Sequence, residues 1–178
     1  VVFTLITRLF TTIAFLFAAS LSTAQSYTNS DSAQIFTLLT RANEETLTGS
    51  LDTAMLYARK ALEVSKNKKM LRGEGFAFLK IADILVQQES SDDLNDFYTG
   101  SYKAGIQLKD SFMMALSCYQ KGEYLMYKDS LEEAEKFFNR ALTLKFNREQ
   151  SNHTALVYND LGYLCGLKDN LEAQVEWY

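Results

Sequence analysis

The chain has 178 residues, 47% apolar and 22% charged, a balance that fits folded protein rather than disorder and a length that admits one compact domain or a short repeat array. A formal net charge of −4 and a pI near 5.1 argue against nucleic-acid binding, whose affinity comes mostly from Lys and Arg on phosphates. No proline occurs, where about nine would be ordinary, so few segments are barred from helix.

At the N-terminus Arg8 precedes an apolar run from Leu9 to Ala19, followed by small residues with Ser22 and Ala24 at −3 and −1 of an A-x-A-like site. Charged, apolar and small, in that order, is the layout of a secretory signal. The run falls short of the ~20 residues that span a membrane. Residues 1–24 are therefore expected to be a signal peptide or, counted from Val1 with Arg8 tolerated, an N-terminal anchor. Cleavage after Ala24 would start the mature chain at Gln25, and no cysteine near the cut suggests a lipid-anchored end. At the other end Tyr178 falls inside a helical pattern, so further chain is expected beyond it.

The next elements repeat. Leu38 and Ala42 open a series continued by Phe78-x2-Ile81-Ala82-x2-Leu85, Cys118-x2-Lys121-Gly122-x2-Leu125 and Tyr158-x2-Leu161-Gly162-x2-Cys165, with Ala42, Ala82, Gly122 and Gly162 spaced 40 apart. The large residues recur at i, i+3 and i+7, on one helical face, and the small residue lets two helices approach. Second helices are predicted between these segments, over Leu51–Val64, roughly Asp92–Leu108, Leu131–Leu144, and from Leu171. "GSLDTAMLYARKALEV" (49–64) and "DSLEEAEKFFNRALTL" (129–144) are nearly the same helix, with Ala54 over Ala134 and Ala61 over Ala141. Ser130 with Glu133 suggests a capping box, and Ser50, Ser91 and Asn170 are candidate caps. Short polar loops such as "LTGS" and "YKDS" make the helices antiparallel hairpins. One hairpin cannot bury both its apolar faces, so hairpins stack.

These residues resemble the tetratricopeptide repeats, whose pattern is W-x2-L-G-x2-Y followed by A-x3-F. Tyr158-x2-Leu161-Gly162-x2-Cys165 and Ala134-x3-Phe138 occupy those places, with Ala141 and Leu142 closing the third repeat. Lys121 replaces the usual Leu, Gln174 stands where Ala is expected, and the terminal Pro is missing. The period is 40 against the family's 34; six more residues per pair add nearly a turn to each helix and keep the faces in phase. In the second repeat either Leu94-x3-Tyr98 or Tyr98-x3-Tyr102 fits the second helix. The resemblance implies an all-α fold, a right-handed superhelical array of antiparallel helix hairpins of about three and a half repeats. These fall near 31–69, 70–109, 110–149 and a truncated 150–178, within a repeat domain over 25–178. A non-repetitive helical bundle is the alternative.

Little in the sequence suggests chemistry. His153 is the only histidine and sits in the polar stretch "REQSNHTA", as a loop or first-turn residue. One histidine and two distant cysteines cannot supply a metal site, so no metal and no cofactor is expected. Cys118 and Cys165 fall on neighbouring first helices, two turns out of step, roughly 10 Å apart along the axis, beyond the ~7 Å a disulfide tolerates. They are expected to be separate, buried and reduced. The acidic groups "ESSDD" (89–93) and "EEAE" (132–135) lie at predicted helix starts, where negative charge meets the helix dipole favourably. Catalysis is not expected.

In tetratricopeptide proteins the first helices line a concave groove that takes a peptide or a partner's helix, and the resemblance implies the same here. The groove positions are Leu79, Asp83, Val86 and Gln87, then Tyr119, Glu123, Met126 and Tyr127, then Asn159, Tyr163 and Leu167, with Leu39, Asn43 and Leu47 opening the row. Members that clamp a carboxylate use cations here, and this row has almost none. Packing between repeats falls to Ala42, Ala82, Gly122, Gly162, Ala54, Ala134, Phe138 and Ala141. The expected partner is a protein or peptide, not nucleic acid. Membrane contact is expected only through the N-terminal segment or a segment after Tyr178. An export signal before such repeats resembles the extracytoplasmic, periplasmic or membrane-anchored part of bacterial sensor proteins such as sensor histidine kinases. A free-standing periplasmic or surface scaffold is the alternative.

Overall fold

A computed structural model describes residues 30–90, 94–144 and 151–168. Seven α-helices occupy them: α1 (30–47), α2 (Leu51–Asn67), α3 (Leu71–Gln87), α4 (Asn95–Leu108), α5 (Ser111–Tyr127), α6 (Leu131–Thr143) and α7 (Ser151–Leu167). No strand occurs among the described residues. Each helix packs on the next in sequence, from α2 through to α7, which is a solenoid of hairpins and not a bundle.

The repeat is finer than 40 residues. Gly49, Lys69, Glu89, Lys109 and Asp129 all have positive φ and lie 20 apart. At each, the next amide reaches back five residues: Ser50 to the Glu45 carbonyl, Met70 to Ser65, Ser90 to Leu85, Asp110 to Gly105 and Ser130 to Leu125. The left-handed residue itself donates three residues back, as Lys69 does to Lys66. These paired bonds form the Schellman motif, which satisfies helix-end carbonyls. One turn, used five times, closes every helix from α1 to α5.

The core follows the period. On the odd helices Ala42, Ala82, Gly122 and Gly162 are buried, and on the even ones Ala54, Ala58 and Ala61 are matched by Leu94, Tyr98 and Ser101 and by Ala134, Phe138 and Ala141. Leu94 and Tyr98 are 1% and 2% exposed, so the second repeat uses the Leu94-x3-Tyr98 register. Tyr102 is half-buried at the rim. Where the first repeat has small alanines, Tyr98 and Phe138 fill the space, stacking near Tyr124 at 5.8 Å and Tyr119 at 6.0 Å.

Three expectations change. Ser130 and Ser50 stand before α6 and α2 but make no side-chain cap bond, so there is no Ser130 capping box. Among helices α2 to α6 the side-chain cap that does form is Asp110, whose carboxylate accepts from the Met113 amide at 3.0 Å. Helix α4 begins at Asn95 rather than Asp92, and α2 runs on to Asn67, because nothing in "VSKN" breaks it and Ser65 is absorbed by bonding back to the Ala61 carbonyl. The expected signal or anchor segment (1–24), Ser91, Asn170 and Gln174 lie outside the described residues.

Candidate functional site

The curvature can be derived from which helices meet. Helix α3 touches α5 and α5 touches α7, whereas among the described residues the backbones of α2, α4 and α6 stay apart, α4 and α6 meeting through the long side chain of Arg140 on Tyr102. Gly75 of α3 permits the first of these contacts, since a Cβ added there would stand 2.5 Å from the sulfur of Met113 on α5. The odd helices are therefore the inner side of the curve and the even helices splay outward.

On that inner side lies a row of matched positions: Asn43, Asp83, Glu123 and Tyr163. Lys80 bridges the first pair, donating to Asn43 Oδ1 at 3.1 Å and to Asp83 Oδ2 at 2.7 Å. Gln87 adds a donor to Asp83 Oδ1 at 3.1 Å. Further along, the partners are acidic or neutral. Tyr119 donates its hydroxyl to Glu123 Oε1 at 3.0 Å, and Asp160 stands close enough to bear on both. Burial pushes the Glu123 carboxyl up to about 7; the Tyr119 hydrogen bond opposes this, and the charges of Asp160 and Asp83 reinforce it. Burial also raises Asp160, against the hydrogen bonds from Tyr119 and Asn159. Gln120 Oε1 is buried here with no hydrogen-bond partner. A small depression of about 110 Å³ between Asp83, Val86, Gln120 and Glu123 opens beside Tyr98 and Tyr124.

The structure divides the predicted groove residues. Leu79 and Tyr119 are 2% and 7% exposed and belong to the core, where neither offers a free surface. Asp83, Glu123 and Met126 are half-buried, and Asn159 is exposed. Tyr127 and Tyr163 are 57% and 53% exposed. Leu47, Tyr127 and Leu167 occupy the same place at the ends of their helices and are all exposed, with the polar Gln87 standing between Leu47 and Tyr127 in that row.

One feature of the inner helices escaped the sequence reading. Phe36, Phe76, Phe112 and His153 form a ladder of rings from α1 to α7, at 5.9, 6.4 and 5.4 Å between successive centroids. The 40-residue spacing of Phe36 and Phe76 signals its start; Phe112 breaks the period. His153 thus sits in the first turn of α7, half-buried, edge-on to Phe112. Cys118 and Cys165 are both free and buried, and burial pushes the Cys118 thiol up to about 11 despite Arg140 and Lys121 nearby. Among the described residues no group of three or more His, Cys, Asp or Glu could hold a metal ion, and no helix is long and apolar enough to cross a membrane. Glu132 and Glu133 occupy the first turn of α6, and Glu135 pairs with Lys168 at 2.8 Å. Of "ESSDD", residues 91–93 lie outside the described part.

Comparison with known proteins agrees with this architecture. Residues 115–148 match the family model "Tetratricopeptide repeat"; they hold most of α5 and all of α6. No curated protein matches the chain. Among solved structures, the crystal structure of BtubC (BKLC) from P. vanneervenii superposes with a TM-score of 0.70 over 83% of this chain, at 14% identity. This chain covers 61% of that one, and at such identity the likeness concerns the fold. Repeats of this kind commonly act as protein-interaction scaffolds. A TPR motif in its third repeat, a 20-residue helix–turn period and stacked hairpins make the chain an all-α, tetratricopeptide-like helical-repeat protein.

Proposed function

We propose that the chain is an exported, non-catalytic scaffold that binds a protein or peptide along its odd helices, as the extracytoplasmic sensing or interaction part of a bacterial signal-transduction protein. The observation that carries the binding role is the inner face itself. Tyr127 and Tyr163 are more than half exposed beside the carboxylates of Asp83, Glu123 and Asp160. Aromatic rings with a polar tip suit contact with apolar side chains, and the carboxylates favour a partner segment that brings positive charge. Export rests on Arg8, the Leu9–Ala19 run and the small residues before Gln25.

Two experiments test this. A photo-crosslinking residue at position 127 or 163 should trap a specific partner in cells, and Tyr127→Ser with Tyr163→Ser should lose capture while melting unchanged. Equal capture by that double variant would remove the groove. Fusing residues 1–24 to a phosphatase active only outside the cytoplasm should give active reporter; an inactive fusion would overturn export while leaving the groove standing. A chain lacking any membrane-spanning segment after its repeats would favour the free-standing scaffold over the sensor.

A further inference from the structure

On the outer side the splayed even helices leave clefts, each floored by an odd helix. The cleft between α2 and α4 is plugged. Phe78 of α3 lies over Gly100, where an added Cβ would stand 2.8 Å from its ring, and meets Phe97 at 6.1 Å. Forty residues on, between α4 and α6, only one phenylalanine of that arrangement is kept: Phe137 stands for Phe97, but Cys118 stands for Phe78, Arg140 for Gly100 and Lys121 for Ile81. The loss of the Phe78 ring leaves a cavity of about 210 Å³. Its floor is Cys118, Ser117 and Tyr98, all buried, and Phe137 forms one wall.

The mouth is cationic. Lys121 lies over the Phe137 ring at 4.4 Å and donates to Asn95 Oδ1 at 2.6 Å. Arg140 lies over the Tyr102 ring at 4.9 Å and donates to its hydroxyl at 2.9 Å. Among the described residues neither cation has a carboxylate within ion-pair distance, unlike Lys68, Arg72, Lys80 and Lys168. Their existing partners are neutral oxygens, so an incoming anion would add the opposite charge that nothing described in the pocket now supplies.

We infer that this cleft binds a small aromatic carboxylate, its ring taking the space that Phe78 fills one repeat earlier and its carboxylate meeting Lys121 and Arg140. Size and chemistry both favour this class. A cavity of roughly 150 Å³ holds benzene, so the volume here suits one ring with a short acidic arm. A bare inorganic anion would leave the apolar floor uncovered. The site faces away from the inner groove and does not depend on the function proposed for it.

Phenylacetate serves as the probe, titrated into the full chain and followed by amide NMR. Saturable shifts are expected at Cys118, Lys121 and Phe137, with phenylacetamide, the neutral isostere, binding at least about tenfold more weakly, since it brings no negative charge to pair with the two cations. Cys118→Phe, which restores the residue of the plugged cleft, should abolish binding. Lys121→Ile combined with Arg140→Gly, the matching pair from the same cleft, should weaken it about tenfold or more through groups at the mouth alone, and decides the matter if Cys118→Phe does not fold. Absence of saturable binding, equal binding of acid and amide, unchanged affinity in the variants, or shifts confined to the inner face would each overturn the assignment.

Discussion

Phe138 of α6 lies across Gly122 of α5 so closely that a Cβ built on Gly122 would stand 2.6 Å from its Cε1 and 2.7 Å from its Cδ1. The ring cannot step aside, because it is fully buried and backed by Tyr119 at 6.0 Å. Gly122→Ala should gain up to ~1 kcal/mol of helix propensity and lose about 1–3 kcal/mol to overpacking, a net loss near 1 kcal/mol. Urea unfolding measures it. Adding Phe138→Leu should return part of that loss, since the two residues share one contact. An alanine variant at least as stable as the parent would show that the ring yields.

The five junction residues give predictions of opposite sign. Lys69, Glu89 and Lys109 hold φ of 53° and Asp129 58°, a region that costs a side-chain-bearing residue of order 1 kcal/mol. Glycine avoids that strain but loses more chain entropy on folding. Lys109→Gly or Asp129→Gly should therefore stabilise by about 0.5 kcal/mol. Gly49→Ala, at φ 82°, should destabilise by about 1 kcal/mol. Thermal melts of single variants separate the two directions. Equal signs would mean that the turns relax when substituted.

Capping divides the helix starts. Asp110 accepts from the Met113 amide at 3.0 Å and lies 3.6 Å from Arg72 across the hairpin. Asp110→Ala should cost about 1 kcal/mol, while Ser130→Ala and Ser50→Ala, which break no cap bond, should stay within about 0.5 kcal/mol. Chemical unfolding of the three variants compares them directly. A Ser130→Ala loss as large as that of Asp110→Ala would mean that the serine caps in solution.

The same contrast shows what the sequence could carry. Ala42, Ala82, Gly122 and Gly162 were readable because tight helix approach excludes large residues at one place per repeat, leaving a compositional trace. Period and fold class follow from that trace. The turns were not readable, since Lys, Glu and Asp stand where glycine would have announced a left-handed residue. Serine before a helix names a possible cap but not its rotamer, so Ser130 misled where Asp110 did not stand out. The groove positions rest on the family resemblance and on helical face, and a face of 17-residue helices in a stacked array is partly roofed by its neighbours. Leu79 and Tyr119 went inside for that reason. The outer cleft depends on one missing ring at Cys118 seen against Phe78, a comparison that has meaning only once both helices have neighbours.

The buried carboxyl at Glu123 makes stability depend on pH. Burial holds its folded pKa near 7, against an ordinary 4.5. Between these values the folded chain binds more protons than the unfolded one, so stability falls as pH rises through the window and levels off above it. Asp160, raised for the same reason, acts in the same direction. Lys80, a cation on this face, is already held by Asp83 at 2.7 Å and does not offset the rise at Glu123. Glu123→Gln keeps an acceptor for the Tyr119 hydroxyl and removes the charge. The variant should match the parent near pH 5 and exceed it by roughly 2–3 kcal/mol near pH 8. Melting both proteins across that range gives the difference directly, free of titrations they share. A difference that is flat, or that favours the parent at the alkaline end, would mean that Glu123 is charged and well solvated in the folded protein.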